Sequence, residues 1–126
     1  MADVPRENAE PIRSEPILRV VFYRTMCGNE PVREWLKSLA REDRKAIGED
    51  VKTAQYGWPL GMPLIRKLEP ELWEVRARIA QGIARVLFTV DAGVMVLLHG
   101  FVKKSQRTPS MELRVARQRL ADLRKG

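Results

Sequence analysis

Three runs in succession constrain this chain most: Leu72-Trp73-Glu74-Val75-Arg76, Ala84-Arg85-Val86-Leu87-Phe88, and Leu97-Leu98-His99-Gly100-Phe101-Val102-Lys103-Lys104-Ser105. Branched and aromatic residues recur at alternate positions, as strands with a covered face require. Gly82 and the Asp91-Ala92-Gly93 turn separate them, so residues 71–79, 83–90 and 94–103 read as a three-stranded meander. Each run also carries arginine or lysine. A sheet that repeatedly offers cations on one face suits a polyanion, and nucleic acid is the first polyanion to consider.

The rest of the chain supplies the cover for such a sheet. Ile17-Leu18-Arg19-Val20-Val21-Phe22-Tyr23 reads as an earlier strand. Asn29 is placed to cap a helix with Pro31 in its first turn, where the missing amide hydrogen costs nothing. Val32, Trp35, Leu36 and Leu39 then form one apolar face. A second helix is expected from Arg41-Glu42-Asp43, whose acids suit the positive helix end, with Ala46, Ile47, Val51 and Ala54 as its buried stripe. Gly57 before Trp58-Pro59 ends it. Residues 59–70, with Gly61 and three prolines, read as a loop carrying Arg66 and Lys67. Thr108 as cap and Pro109 open a C-terminal helix striped by Leu113, Ala116, Leu120 and Leu123. The fold class expected is α+β: a four-stranded, mainly antiparallel sheet with an N-terminal helical hairpin packed on one face and a C-terminal helix.

The length of 126 residues allows one domain with a real core and not two. Residues 1–16, with three prolines, four acids and few apolar groups, read as a disordered tail, and residues 17–126 as the domain. One cysteine, Cys27, excludes an internal disulfide, and with one histidine, His99, it leaves no zinc cage; no metal or cofactor is expected. The acidic N-terminus is unlike a signal peptide, and the longest apolar run, residues 94–98, is too short for a bilayer. A cytoplasmic protein without membrane association is expected.

The net charge of +7 is unevenly spread. Residues 1–17 hold two arginines against four acids, whereas residues 101–126 hold eight basic residues against two acids. Such a basic end attracts phosphate backbones, or an acidic protein, through salt-sensitive forces. Strand alternation refines this. Trp73, Val75, Ala77 and Ile79 share one face, and Glu74, Arg76 and Arg78 the other. Val86, Phe88 and Val90 oppose Arg85 and Leu87. With the helical hairpin on the apolar face, Arg76, Arg78 and Arg85 are expected together on an uncovered face, with Lys103 and Lys104 at the rim.

The order strand, helical hairpin, meander, with LWEVR, ARVLF and VLLHGFVKKSQRTP in sequence, resembles the RelE/ParE toxin superfamily, closest to its HigB-like, phage-derived branch, over roughly residues 17–123. The resemblance implies a RelE-like fold and a toxin of a type II toxin–antitoxin system: a metal-independent, ribosome-dependent mRNA endoribonuclease. In that chemistry the RNA 2′-hydroxyl attacks the adjacent phosphate and expels the next 5′-oxygen. It needs a positioned nucleotide, cations around the phosphorane and proton transfer. Matched position by position, Arg85 is implied to stabilise the phosphate and Arg76 to do phosphate or proton work. Lys103 and Lys104 are placed close to the scissile phosphate or ribosomal RNA, and Lys67, Arg78 and Arg107 as RNA-binding residues. Some members use a C-terminal tyrosine, and none follows Tyr56 here. His99 has a suitable intrinsic pKa and is the remaining candidate for proton transfer. The partners implied are mRNA, the ribosome and a small DNA-binding antitoxin, often helix-turn-helix. Two further readings stay open: a ParE-like, non-nucleolytic inhibitor of DNA gyrase, and an inactive phage remnant that only binds its antitoxin.

Overall fold

The computed structural model of this chain describes residues 16–103 and 108–125. Lys104 and Arg107, and residues 1–15 of the expected tail, lie outside the described residues.

The chain runs β1 (Arg19–Phe22), α1 (Pro31–Lys37), α2 (Arg41–Gly57), β2 (Ile65–Glu69), β3 (Leu72–Ile79), β4 (Gly82–Asp91), β5 (Val94–Lys103) and α3 (Ser110–Lys125). The strands form one mixed sheet ordered β1-β5-β4-β3-β2. The meander is antiparallel as expected, and β1 pairs with β5 in parallel, the long helical crossover making that possible. The sheet has five strands, however, not four. The additional strand, β2, lies in the proline-rich stretch assigned to a loop, where it pairs antiparallel with β3. It is five residues long, begins two residues after Pro63 and occupies an edge, where prolines nearby interrupt no central ladder. Its IRKLE sequence is too short and too charged for alternation to reveal it.

The helical pair covers one face of the sheet, with α1 over β5 and α2 over β3. Val32, Ile47, Val51 and Ala54 meet Ile65, Val75, Ala77, Val86, Phe88 and Leu97 in the larger core. Trp58, at the end of α2, meets Trp73 edge-on at 5.1 Å between ring centres and Phe88 at 5.8 Å, clamping the helix end to the sheet. Helix α1 is only seven residues long, and its N-cap is Glu30, without a side-chain cap bond, rather than Asn29. The Asn29 amide instead donates to Thr25 Oγ1 at 3.1 Å, within the turn that precedes the helix.

The opposite face is not open. Leu113, Ala116, Leu120 and Leu123 of α3 pack on Tyr23, Leu72, Leu87, Val96, Leu98 and Phe101, forming a second core. The apolar stripe read in α3 therefore has the sheet as its partner. A register shift assists: between Leu87 and Phe88 the β5 partner changes from His99 to Leu97. Leu98 is the extra residue of a bulge, so Leu98 joins the second core while His99, opposite Leu87, also faces α3. Ion pairs from Arg117 to Glu69 and from Arg124 to Glu71 anchor the helix across the β2–β3 end of the sheet.

Candidate nucleic-acid interface

Residues paired across neighbouring strands point to the same side of a sheet, so the register arranges the charged side chains in rows. One row is Arg66, Glu74, Leu87, His99; the next is Arg76, Arg85, Phe101; the third is Arg78, Ile83, Lys103. All three lie on the side that α3 covers. Arg76, Arg78 and Arg85 are thus on one face, as alternation indicated, and Lys103, expected at its rim, shares that face. Lys67 is not. It pairs with Trp73 on the helical-hairpin side, its ammonium 5.5 Å from the centre of the Trp73 ring. The β2 residue on the cationic face is Arg66, which a loop assignment could not place.

Arg85, expected to be open to solvent, is 0% exposed, as is Glu74. Thr108, just ahead of α3, closes over them. Its hydroxyl donates to Glu74 Oε2 at 2.6 Å and accepts from an Arg85 terminal nitrogen at 3.3 Å. The same nitrogen is 3.8 Å from Glu74 Oε2, and Arg76 Nε is 3.8 Å from Glu74 Oε1. Thr108 therefore joins a buried carboxylate to a buried guanidinium instead of capping the helix. Arg76 is nearly covered, with 11% of its side chain exposed, whereas Arg78 and Lys103 are exposed.

Burial pushes the Arg85 guanidinium below the usual arginine range; Glu74 opposes this, and the charges of Arg76 and Arg66 add to it. Arg76 and Arg66 thus act on Arg85, and Glu74 pairs with both Arg76 and Arg85. Two like charges about 6 Å apart repel by roughly 3 kcal/mol at an effective dielectric constant of about 20. An anion placed against such a layer relieves that repulsion.

Solvent reaches this layer where β2 falls short of β3. The Arg76 amide donates to the Leu64 carbonyl at 2.9 Å, and beyond it β3 has no strand partner on that side among the described residues. The opening is a cleft of about 330 Å³ lined by Asp50, Pro63, Leu64, Arg76, Arg78 and Ile83. Asp50 of α2 had no place among the sequence candidates. Its signal, an acid one turn from the apolar stripe of a helix, is indistinguishable in sequence from a solvated residue. Burial, and then neighbouring Glu49, hold its carboxyl above the usual aspartate value of 3.8.

His99 lies elsewhere on this face. Its Nε2 is 2.5 Å from Glu112 Oε1, its Nδ1 is 3.4 Å from an Arg119 nitrogen, and its ring stacks on Phe101. That Arg119 nitrogen also donates to the Leu98 carbonyl at 2.8 Å. Both imidazole nitrogens are engaged, and the group fastens β5 to α3. Tyr23 donates to Asp122 at 3.1 Å and does the same for β1. Among the described residues no three His, Cys, Asp or Glu side chains are grouped to hold a metal ion, and no helix is long and apolar enough to cross a membrane.

Compared with known protein families, the chain matches the one described as "Phage derived protein Gp49-like" over residues 34–121, from the middle of α1 into the C-terminal half of α3. No curated protein matches it.

Proposed function

We propose that this chain, which belongs to the Phage derived protein Gp49-like family, a family of RelE/HigB-like toxins, is an endoribonuclease toxin that cleaves mRNA at the ribosome and is neutralised by a cognate antitoxin. The matched segment contains every described residue of the cationic layer. The observation that carries the reading is that layer itself: Arg76 and Arg85 paired with Glu74, Arg66 beside Glu74 in the strand register, and an opening through Arg76 and Arg78 into a cleft.

The chemistry follows from the charges. Attack of a 2′-oxygen on phosphorus places additional negative charge on the non-bridging oxygens, which preorganised guanidiniums stabilise more than they stabilise the ground state. Arg76 and Arg78, at the cleft, are the residues in reach of that phosphate. Arg85 lies behind them and keeps Glu74 from neutralising Arg76 fully. Lys103 extends the surface at the end of its row, with Lys104 and Arg107 following in sequence to contact the RNA backbone or the ribosome. Removal of the 2′-proton requires a base, and His99, with both nitrogens engaged, is not turned to that work. The antitoxin, a small DNA-binding protein of helix-turn-helix type, is expected to bind the same chain.

The test is to induce the protein alone in a bacterial host and map mRNA 5′ ends, beside Arg76→Ala. Wild type is expected to arrest growth with cuts inside translated codons, and the variant to lose at least about 100-fold in cleavage, as for removal of one oxyanion donor. Growth arrest with intact messages and blocked DNA supercoiling would favour gyrase as the target instead. Growth without arrest would favour an inactive binding protein.

A further inference from the structure

The carboxylate within the cationic layer, Glu74, is fully buried against Thr108, Arg76 and Arg85, whereas the cleft contains a second acid. Asp50 of α2 lines the same cleft as Arg76 and Arg78. The charged residues that line the cleft with it are Arg76 and Arg78, and the charge that acts on its carboxyl is Glu49 on its own helix; Pro63, Leu64 and Ile83 bring none. Asp50 makes no ion pair within 4 Å with any described residue, so its carboxylate is not consumed by either arginine. Acid and cations line one cleft of about 330 Å³. That is the low end of the range for small-ligand sites and suits one nucleotide with its phosphate.

We infer that Asp50 is the general base of this site, taking the proton of a ribose 2′-hydroxyl whose phosphate is held by Arg76 and Arg78. This rests on the endoribonuclease reading above. In the step, the 2′-O–H proton passes to an Asp50 carboxylate oxygen as the 2′-oxygen bonds to phosphorus. The bond from phosphorus to the 5′-oxygen then breaks, and that oxygen takes a proton from solvent. The products are a 2′,3′-cyclic phosphate and a 5′-hydroxyl, with atoms and charge conserved. Burial supports the role independently of the arginines. A carboxyl held above its usual value is a stronger base than a solvated aspartate. Such a group also costs the fold stability, and a base at a site is worth that cost where a solvated surface residue is not.

The experiment compares wild type, Asp50→Asn and Asp50→Glu as full-length chains in single-turnover cleavage of ribosome-programmed mRNA between pH 5 and 9. Binding is read in parallel with an mRNA carrying a 2′-deoxyribose at the scissile position. Expected for Asp50→Asn is a rate about 100-fold or more below wild type, unchanged binding of the deoxy message and a melting temperature no lower than wild type. Wild type should lose rate toward acid pH, and that fall should disappear in Asp50→Asn and persist in Asp50→Glu. Wild-type rates in Asp50→Asn, with wild type active, overturn the assignment of Asp50 alone. Loss of binding or of melting temperature in step with activity overturns it too, in favour of a purely structural role. A wild-type protein that cleaves no message overturns the endoribonuclease reading and Asp50 with it.

Discussion

The guanidinium of Arg85 and the carboxylate of Glu74 approach to 3.8 Å with both side chains fully buried, and the Thr108 hydroxyl spans them. Each ion would be costly there alone, since removing either partner leaves an uncompensated charge in a low-dielectric interior. The pair therefore couples three parts of the chain: the β3 run, the β4 run and the approach to α3. It also fixes where Arg76 stands, because Arg76 shares the same carboxylate.

Glu74→Ala is accordingly expected to destabilise the fold by about 3–5 kcal/mol, the range for breaking a buried pair from one side. Urea denaturation followed by tryptophan fluorescence measures it. A loss below about 1 kcal/mol would show that water reaches Arg85 and that the burial described here does not persist in solution.

The hydroxyl of Thr108 can be examined separately, because valine has nearly the same shape. Thr108→Val should lose about 1–3 kcal/mol, the cost of leaving buried polar groups without a partner, while Thr108→Ser should remain close to wild type. Equal stability of all three proteins would mean that the bridge contributes nothing beyond packing.

What sequence reasoning could and could not reach follows from the range of the interactions involved. Alternation is a property of one strand, and it correctly put Arg76, Arg78 and Arg85 on a common side. Whether that side meets solvent depends on a helix more than 20 residues away in the chain. In α3, Arg117 and Arg124 turn to Glu69 and Glu71, and Arg119 to a β5 carbonyl, partners that no local pattern points to. Likewise, β2 becomes a strand only because β3 offers it an edge, so its local sequence shows nothing decisive. His99 was legible as a titratable residue in a strand, but its engagement by Glu112 and Arg119 comes from tertiary packing alone.

Gly100 explains how α1 reaches the sheet. A Cβ at this position would fall 2.3 Å from Trp35 ring atoms, so only glycine admits the indole flat against β5. Gly100→Ala should cost about 1–3 kcal/mol through forced displacement of a core side chain. A blue- or red-shifted Trp35 emission, assigned by comparison with Trp35→Phe, would confirm the displacement. Unchanged emission and stability would place Trp35 elsewhere.

The acid stability of the fold has a definite sign at Glu69. Hydrogen bonds from Arg117, against an opposing contribution from burial, hold its carboxyl below the usual 4.5. A carboxyl depressed in the folded state favours folding above its unfolded value, and that contribution is lost as pH falls through the folded value. The Arg117→Ala protein should therefore be less stable than wild type at pH 7, with the gap closing below about pH 4. Asp50 runs the opposite way: raised in the fold, it favours folding at low pH and loses that contribution as pH rises through its folded value. A wild-type to Arg117→Ala difference that persists unchanged at pH 3 would assign the effect to packing of the arginine stem rather than to the ion pair.

Arg66 and Lys67 are adjacent in sequence and on opposite faces of β2, which makes them a direct test of which face binds RNA. Arg66 belongs to the row of Glu74 and influences Arg85, whereas Lys67 sits over Trp73 on the helical-hairpin side. Each single-strand phosphate contact contributes about 0.7 to the slope of log affinity against log salt. If the α3-covered face is the binding face, Arg66→Ala should weaken binding of a 2′-deoxy-blocked message and shallow that slope by about 0.7. Lys67→Ala should leave both unchanged, since its ammonium is directed to the far side of the sheet. Titrations at several salt concentrations distinguish the two variants without any cleavage. The reverse result, with Lys67 mattering and Arg66 not, would move the interface to the hairpin face and remove the arginine layer from consideration as the site.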